Sequence, residues 1–417
     1  MKILLIQHNS FINGHGGTEK VCSFLANHFC DLGYEVEVAT NENIIGKEVY
    51  PLSEKVKLIN IYSDDIKQIQ FRKIQNYTGK NPILWIKHKL KKNYDIYINK
   101  KITKKAGGQD KVYEFNLRQR ALAWRKFINS SKPDAIITMS IGSLLEITFE
   151  NDYNIPIINS TNGRPDYDYT DVLWDRTAID MRHLENSYQK LSAIQVLFEN
   201  YKDFLPSSFQ GKCFHIGNFI PQIEDNSIAT HSSEKESYII SHVGSLVLSH
   251  KQQDVLIRSF KKVCNKFPQW NLHFWGVGRD KDQIEKLIQN LNLESRVFLN
   301  GFISEPIEKL KNSDIFVFPS KYEGFPLALV EAMAVGLPVI GLEGCSGVDQ
   351  LIIHNENGYL AKNENEIAEY LEKLMSSSNL RQKMGNASRN FVKQFAPEHI
   401  KQQWKTLLDE VLNKSEK

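Results

Sequence analysis

The segment Ser320–Ala334 (SKYEGFPLALVEAMA) holds the residues of this 417-residue chain best suited to chemistry. The apolar run Ile315–Phe318 reads as a strand buried on both faces that feeds a turn. A helix is expected from about Pro326, a favoured first helical residue, to about Val335, with Gly336 closing it and Pro338 beyond. The first turn of such a helix leaves N–H groups without helical acceptors and favours an anion by about 0.3–1 kcal/mol, up to ~2 when partly buried. Glu323 stands in the turn and Glu331 lies inside the helix. Two carboxylates beside a phosphate-friendly helix start do little for stability, but they suit the gripping of sugar and ribose hydroxyls. Gly324 is expected to let a ligand reach the backbone.

Three other glycine-bearing turns follow strand-like runs. Gly14, Gly16 and Gly17 enclose His15, which makes His15 a candidate ligand contact; His8 and His250 read as polar surface residues. Gly244-Ser245 leads to Lys251. Gly276-Val277-Gly278-Arg279 begins like a dinucleotide fingerprint, but Lys281 stands where the third glycine belongs, so hydride chemistry is not indicated. Asp166-Tyr167-Asp168 and Asp280-Lys281-Asp282 match a D-x-D metal pattern too short to be informative. No metal and no cofactor is expected. The five scattered cysteines make no C-x-x-C pair and read as small buried hydrophobes of a reducing compartment.

These turns need a scaffold, and the chain supplies one twice. Strand-length apolar runs alternate with helical periodicity, the pattern of an α/β fold with parallel sheets. In the first half the runs are Ile3–Ile6, Val36–Ala39, Ala135–Thr138, Ile155–Ile158, Ala193–Phe198 and Lys212–Ile216. In the second they are Tyr238–Val243, Leu272–Trp275, Arg296–Leu299, Ile315–Phe318 and Pro338–Gly341. The expected division is a first domain over 1–222, a polar linker over 223–237, a second domain over 238–395, and a last helix over 396–417. That helix carries Ile400, Trp404, Leu407, Leu408 and Val411 on one face and must pack them on something, expected to be the first domain. Within the first domain a basic insertion spans about 64–126. Lys67–Lys126 holds seventeen Lys/Arg against three acidic residues, interleaved with aromatics, which suits either a solvated helical insertion or an anionic membrane surface. The length fits two domains, and a formal net charge of +3 gives no reason to expect nucleic acid. The N-terminal apolar run is too short for a signal peptide and no stretch is long enough to span a membrane, so a cytoplasmic protein, peripheral at the inner face of the membrane at most, is expected.

The turn and helix at Glu323–Glu331 resemble the E-x7-E motif of the retaining family-4 glycosyltransferases. The likeness extends to Leu272–Arg279 with Val297–Gly301, to Gly341–Ile353, to Ile216–Pro221 and to Gly16-Gly17-Thr18-Glu19. It implies the GT-B architecture: two Rossmann-like domains with parallel sheets facing a central cleft, the first taking the acceptor and the second the nucleotide sugar. It further implies that Glu323 lies against the donor sugar, that Glu331 holds the ribose, and that Lys251 binds the diphosphate. Gly244 and Ser245 are placed in the donor loop, with backbone amides of Gly324, Phe325, Pro326 and Leu327 around sugar and diphosphate (Pro326 has no N–H to give). Two positions depart from the family. Ser245 stands where a diphosphate-binding arginine is usual, which makes Arg279 a candidate substitute. Asn162, in Ser160–Pro165, stands where many members place a histidine; it can hydrogen-bond but cannot shuttle a proton. The implied activity moves a hexosyl or N-acetylhexosaminyl group, with UDP the family's commonest carrier, onto a saccharide or lipid-linked saccharide of a surface-polysaccharide pathway such as capsule or lipopolysaccharide. The alternative is a non-catalytic partner or chaperone of another transferase on the same fold.

Overall fold

The computed structural model describes residues 1–412 except 78, 174, 225, 226 and 233. Parts of the expected linker (225, 226, 233), of the basic stretch (78) and of the last helix (413–417) therefore lie outside the described residues. The first sheet comprises β1 (Lys2–Ile6), β2 (Glu35–Thr40), β3 (Lys57–Asn60), β4 (Ala135–Thr138), β5 (Ile157–Ser160), β6 (Ala193–Val196) and β7 (Lys212–His215), in the order β3-β2-β1-β4-β5-β6-β7. The second comprises β8 (Tyr238–Val243), β9 (Trp270–Trp275), β10 (Val297–Leu299), β11 (Ile315–Phe318), β12 (Val339–Leu342) and β13 (Gly358–Ala361), in the order β10-β9-β8-β11-β12-β13. Every pairing between these strands is parallel. The chain is thus α/β with two Rossmann-like domains. Strands such as Leu4–Ile6 and Ile315–Phe318 are fully apolar and fully buried, because helices cover both faces.

Strand order reverses between β1 and β4 in one sheet and between β8 and β11 in the other. Loops leaving adjacent strands part at such a point and open a crevice at the carboxyl ends, where ligands of doubly wound sheets bind. The loops after β1, β8 and β11 are the ones that carry Gly16-Gly17, Gly244–Lys251 and Glu323.

The helix Pro397–Leu412 lays Ile400, Trp404, Leu407, Leu408 and Val411 against Ile3, Leu5, Phe29 and Val36 of the first domain. A second apolar cluster runs without a break from Leu4 and Ile194 of one domain to Phe325, Leu329 and Val330 of the other. Between the domains, Ala229 N–H donates to Val335 and His231 pairs with the Gly336 carbonyl at 2.8 Å, so that part of the connection is fastened to the second domain.

The basic stretch divides in two. Helix α1 (Gly17–Asp31) follows β1, and after β3 come α2 (Pro82–Ala106) and α3 (Gln109–Ser131). In α3, Leu117, Ala121, Trp124 and Ile128 are buried in the first core, and the Trp124 indole donates to Glu146 at 3.0 Å. Trp124 therefore does not belong to an exposed basic and aromatic face. Only α2 stands clear of the core, with Asp95 its one buried residue.

Candidate functional site

The loop after β8 is shaped by glycines. Gly244 N–H donates to Trp275 at 3.0 Å and Leu246 N–H to Val277 at 3.0 Å, which lays it against the turn after β9. A Cβ on Gly276 (φ +147°) would sit 2.0 Å from the Gly244 carbonyl, and one on Gly278 2.3 Å from that of Leu246. The Gly-x-Gly pair thus serves the contact of two loops and not a dinucleotide. Ser245 offers its carbonyl to the Gln253 amide at 2.8 Å. A single helical turn, Leu248–Lys251, follows, and the His250 carbonyl accepts Lys321 N–H at 2.8 Å, which docks it on the turn after β11. Lys251 consequently bonds the Glu323 carboxylate, and its ammonium lies 5.2 Å from the Phe318 ring centre. Arg279 donates to Ser249 at 3.2 Å with its side chain 70% exposed, so it lies on the same loop assembly as Lys251 but at its outer side.

The helix after that turn is Leu327–Ala334. Pro326 is extended (ψ 90°) and caps the helix instead of opening it; its carbonyl accepts Leu329 and Val330 N–H. The amides of Leu327 and Ala328 are left without a helical acceptor. Gly336 (φ +85°) ends the helix in the left-handed conformation that glycine adopts at least cost. The Glu323 carbonyl is held by the Ser346 hydroxyl at 3.0 Å and Gly347 N–H at 3.1 Å.

Gly324 lies at the junction of the two domains. A Cβ there would lie 1.8 Å from the Asn162 carbonyl and 2.6 Å from Gly163 Cα, so the other domain's backbone approaches it closely. The Gly324 carbonyl accepts the Tyr201 hydroxyl at 3.2 Å, and Tyr167 reaches Ser346 at 3.2 Å. Phe325 is likewise turned into the junction, stacked on Phe198 and edge-on to Phe395 with centroids 5.5 and 5.0 Å apart. Asn162 spends its side-chain amide on the Met139 carbonyl at 2.6 Å.

From the first domain, α1 contributes a residue that no sequence motif marks. Lys20 forms an ion pair with Glu331 at 2.7 Å across the domain junction, the lysine 27% and the glutamate 7% exposed. The glycines before it wrap the chain around Glu19. A Cβ on Gly16 would lie 2.3 Å from Glu19 Oε2, and Gln7 donates to Oε1 at 2.5 Å. Burial raises the Glu19 carboxyl above its usual range. With Glu19 turned inward, its neighbour Lys20 faces the second domain. Gly17 sits under Leu327, 3.3 Å from where its Cβ would be, and His15 crosses to Phe302, edge-on at 5.0 Å, while its carbonyl accepts the Tyr50 hydroxyl. The adjacency of Lys20 to the glycine turn was the available signal, but nothing in the sequence shows which carboxylate it meets.

Beneath the Lys251 loop, His242 is wholly buried, with Nδ1 3.0 Å from the Val317 carbonyl and its ring stacked on Phe318. Burial pushes its pKa down to about 4, with Lys251 adding to the shift, so the ring is neutral at physiological pH. The site therefore joins two carboxylates at the mouth of two switch points, Glu323 neutralised by Lys251 of the loop after β8 and Glu331 by Lys20 of α1. Glu323 and Lys251 keep 12% and 21% of their side chains exposed, so both can exchange partners with an entering ligand. Among the described residues no group of three or more His, Cys, Asp or Glu is placed to hold a metal, and no helix is long and apolar enough to cross a membrane.

Residues 224–391 match the family model described as glycosyl transferases group 1. A poly(ribitol-phosphate) α-N-acetylglucosaminyltransferase of Staphylococcus aureus is 27% identical over 379 residues, covering 86% of this chain and 74% of that one. An uncharacterized glycosyltransferase of Haemophilus influenzae is 31% identical over 199 residues, 47% of this chain, and the match spans 56% of that relative's length. The solved structure of a S. aureus TarM variant with fondaparinux, α-GlcNAc-glycerol and UDP superposes with a TM-score of 0.71 at 19% identity, over 97% of this chain and 99% of that one.

Proposed function

Starting from a chain that is a glycosyltransferase of GT-B fold and bacterial surface-polysaccharide type, we propose that it transfers a hexosyl or N-acetylhexosaminyl group from a nucleoside-diphosphate sugar to a saccharide or lipid-linked saccharide acceptor, with retention at the anomeric carbon. The observation that carries this reading is the double pairing Lys251–Glu323 and Lys20–Glu331 at the domain junction. Each pair is a carboxylate suited to hydroxyls, held by a cation that a phosphate or a hydroxyl can displace.

The donor enters by exchange. Its diphosphate takes Lys251 from Glu323 and lies at the amides of Leu327 and Ala328, while Arg279 supplies a second cation from the outer side. Glu323, released, accepts hydrogen bonds from the sugar hydroxyls. Glu331 gives up Lys20 for the ribose hydroxyls. The bond from the anomeric carbon to the phosphate oxygen then breaks as oxocarbenium character develops, and the departing charge is met by Lys251 and the helix amides. The acceptor hydroxyl forms the new bond on the same face. Asn162 cannot take its proton, so the proton passes to an oxygen of the leaving diphosphate. The buried, neutral His242 adds no second positive charge under Lys251, which leaves that lysine for the phosphate. Closure at Gly324 against Asn162–Gly163 excludes water from the reacting sugar.

UDP as carrier is supported by the UDP found in the TarM variant, and an N-acetylhexosamine by the name of the S. aureus relative. The deciding experiment incubates the purified chain with a panel of nucleotide sugars. Slow donor hydrolysis that Glu331→Ala abolishes is expected. If no nucleoside diphosphate or nucleotide sugar binds at all, the reading is wrong.

A further inference from the structure

From the placement of α2 we infer that this helix is an in-plane anchor that docks the enzyme on an anionic lipid bilayer. The inference does not depend on which sugar is transferred. Ile83, Ile86, Leu90, Tyr94 and Tyr97 follow the spacing i, i+3, i+7, i+11, i+14, which puts them on one face of a helix. That face points outward: their relative exposures are 76%, 53%, 66%, 53% and 61%. The opposite face meets the protein through the buried Asp95 and the partly buried Ile96, Ile98 and Ile102. A helix that rests one side on the protein and presents an apolar stripe to water on the other marks an interaction surface.

Charge identifies the partner. The helix carries eight lysines and one acidic residue, and that residue, Asp95, is already paired with Arg72 at 3.4 Å. A second copy of the chain would bring the same unbalanced charge to the same stripe, so self-association is opposed. Nucleic acid would satisfy the lysines but leave Ile83, Ile86 and Leu90 without apolar contact. An anionic bilayer meets both demands: acyl chains for the stripe and headgroup phosphates for the flanking lysines. The same helix walls an open cavity of about 640 Å³ in which Phe71, Ile74 and Ile96 stand beside Arg72, Lys100 and Lys104, again apolar surface next to cations.

The test uses the full chain and vesicles of phosphatidylcholine, alone or with about one third phosphatidylglycerol, in a sedimentation assay. Wild type is expected to sediment with the anionic vesicles and far less with the neutral ones. The triple variant Ile83→Ser, Ile86→Ser, Leu90→Ser and the triple variant Lys87→Gln, Lys91→Gln, Lys101→Gln should each weaken that binding by at least ~10-fold, since each lysine near the surface contributes about fivefold. All these side chains are exposed, so both variants should melt at the wild-type temperature. Wild type that ignores anionic vesicles, or binding that both variants retain, overturns the proposal. So does a dimer seen by light scattering that the serine variant dissolves, or RNA binding lost only in the glutamine variant, if either occurs without vesicle binding.

Discussion

Glu323→Gln and Lys251→Ala remove the two halves of one ion pair, yet the site geometry expects them to move nucleotide affinity in opposite directions. Lys251 is bonded to Glu323, and both side chains are mostly sequestered from water. If Lys251 holds the diphosphate, its loss removes a charge-assisted hydrogen bond worth about 1.5–3 kcal/mol, or roughly 10- to 150-fold in Kd. The loss should shrink at high salt, because the interaction removed is between charges at a partly open site. Glu323→Gln instead frees Lys251 from its competitor and takes one negative charge away from the phosphates. Its Kd for UDP should stay equal or improve by a few-fold, while turnover falls by at least ~100-fold as the carboxylate that meets the sugar disappears. Titration calorimetry with UDP at ~50 and ~300 mM salt, beside donor-hydrolysis rates, separates the two. Equal small losses of affinity in both variants would refute the exchange, since they would mean that the pair only braces the loop.

Gly324→Ala forces a Cβ to 1.8 Å from the Asn162 carbonyl, backbone against backbone, so the domain junction must open. Overpacking of this kind costs about 1–3 kcal/mol, and a lower melting temperature with a larger loss in kcat/KM than in UDP affinity is expected; unchanged melting and activity would mean that the closed junction is not the working state. His242 gives a pH signature. Its folded pKa of about 4 lies below the unfolded value of 6.5, so the unfolded chain binds the extra proton between them, and stability is full above pH 6.5 and falls as pH drops toward 4, by about 3 kcal/mol. Denaturant titrations from pH 7 to 4 should show this slope reduced in His242→Phe, and an identical slope in that variant would assign the loss to other groups.

Much of the frame was legible because a strand covered on both faces is an uninterrupted apolar run. Ile315–Phe318 and Ala135–Thr138 announce themselves at the residue level. The strands β3 and β13 did not. Lys57–Asn60 is an edge strand with polar ends and no fully buried residue, and Gly358–Ala361 opens on a glycine, so neither carries that pattern. The predicted start of β5 was early because Pro156 cannot donate to the ladder. Proline's preference for the first helical position points to Pro326 there, whereas its ψ of 90° makes it the cap.

The two α/β domains, the turn that carries Glu323 and the helix that carries Glu331 each follow from local pattern: buried runs, a proline and two glycines. Who faces whom is set by the packing of these elements against one another. That Lys20 meets Glu331, that Gly324 is reserved for the Asn162 carbonyl, that Trp124 is core and that Ile83, Ile86 and Leu90 face water are relations between segments scores to hundreds of residues apart, or between a helix and the body it leans on. Local sequence sets which side of an element is apolar. Which apolar side finds the core, and which is left for another surface, is fixed only when the elements pack.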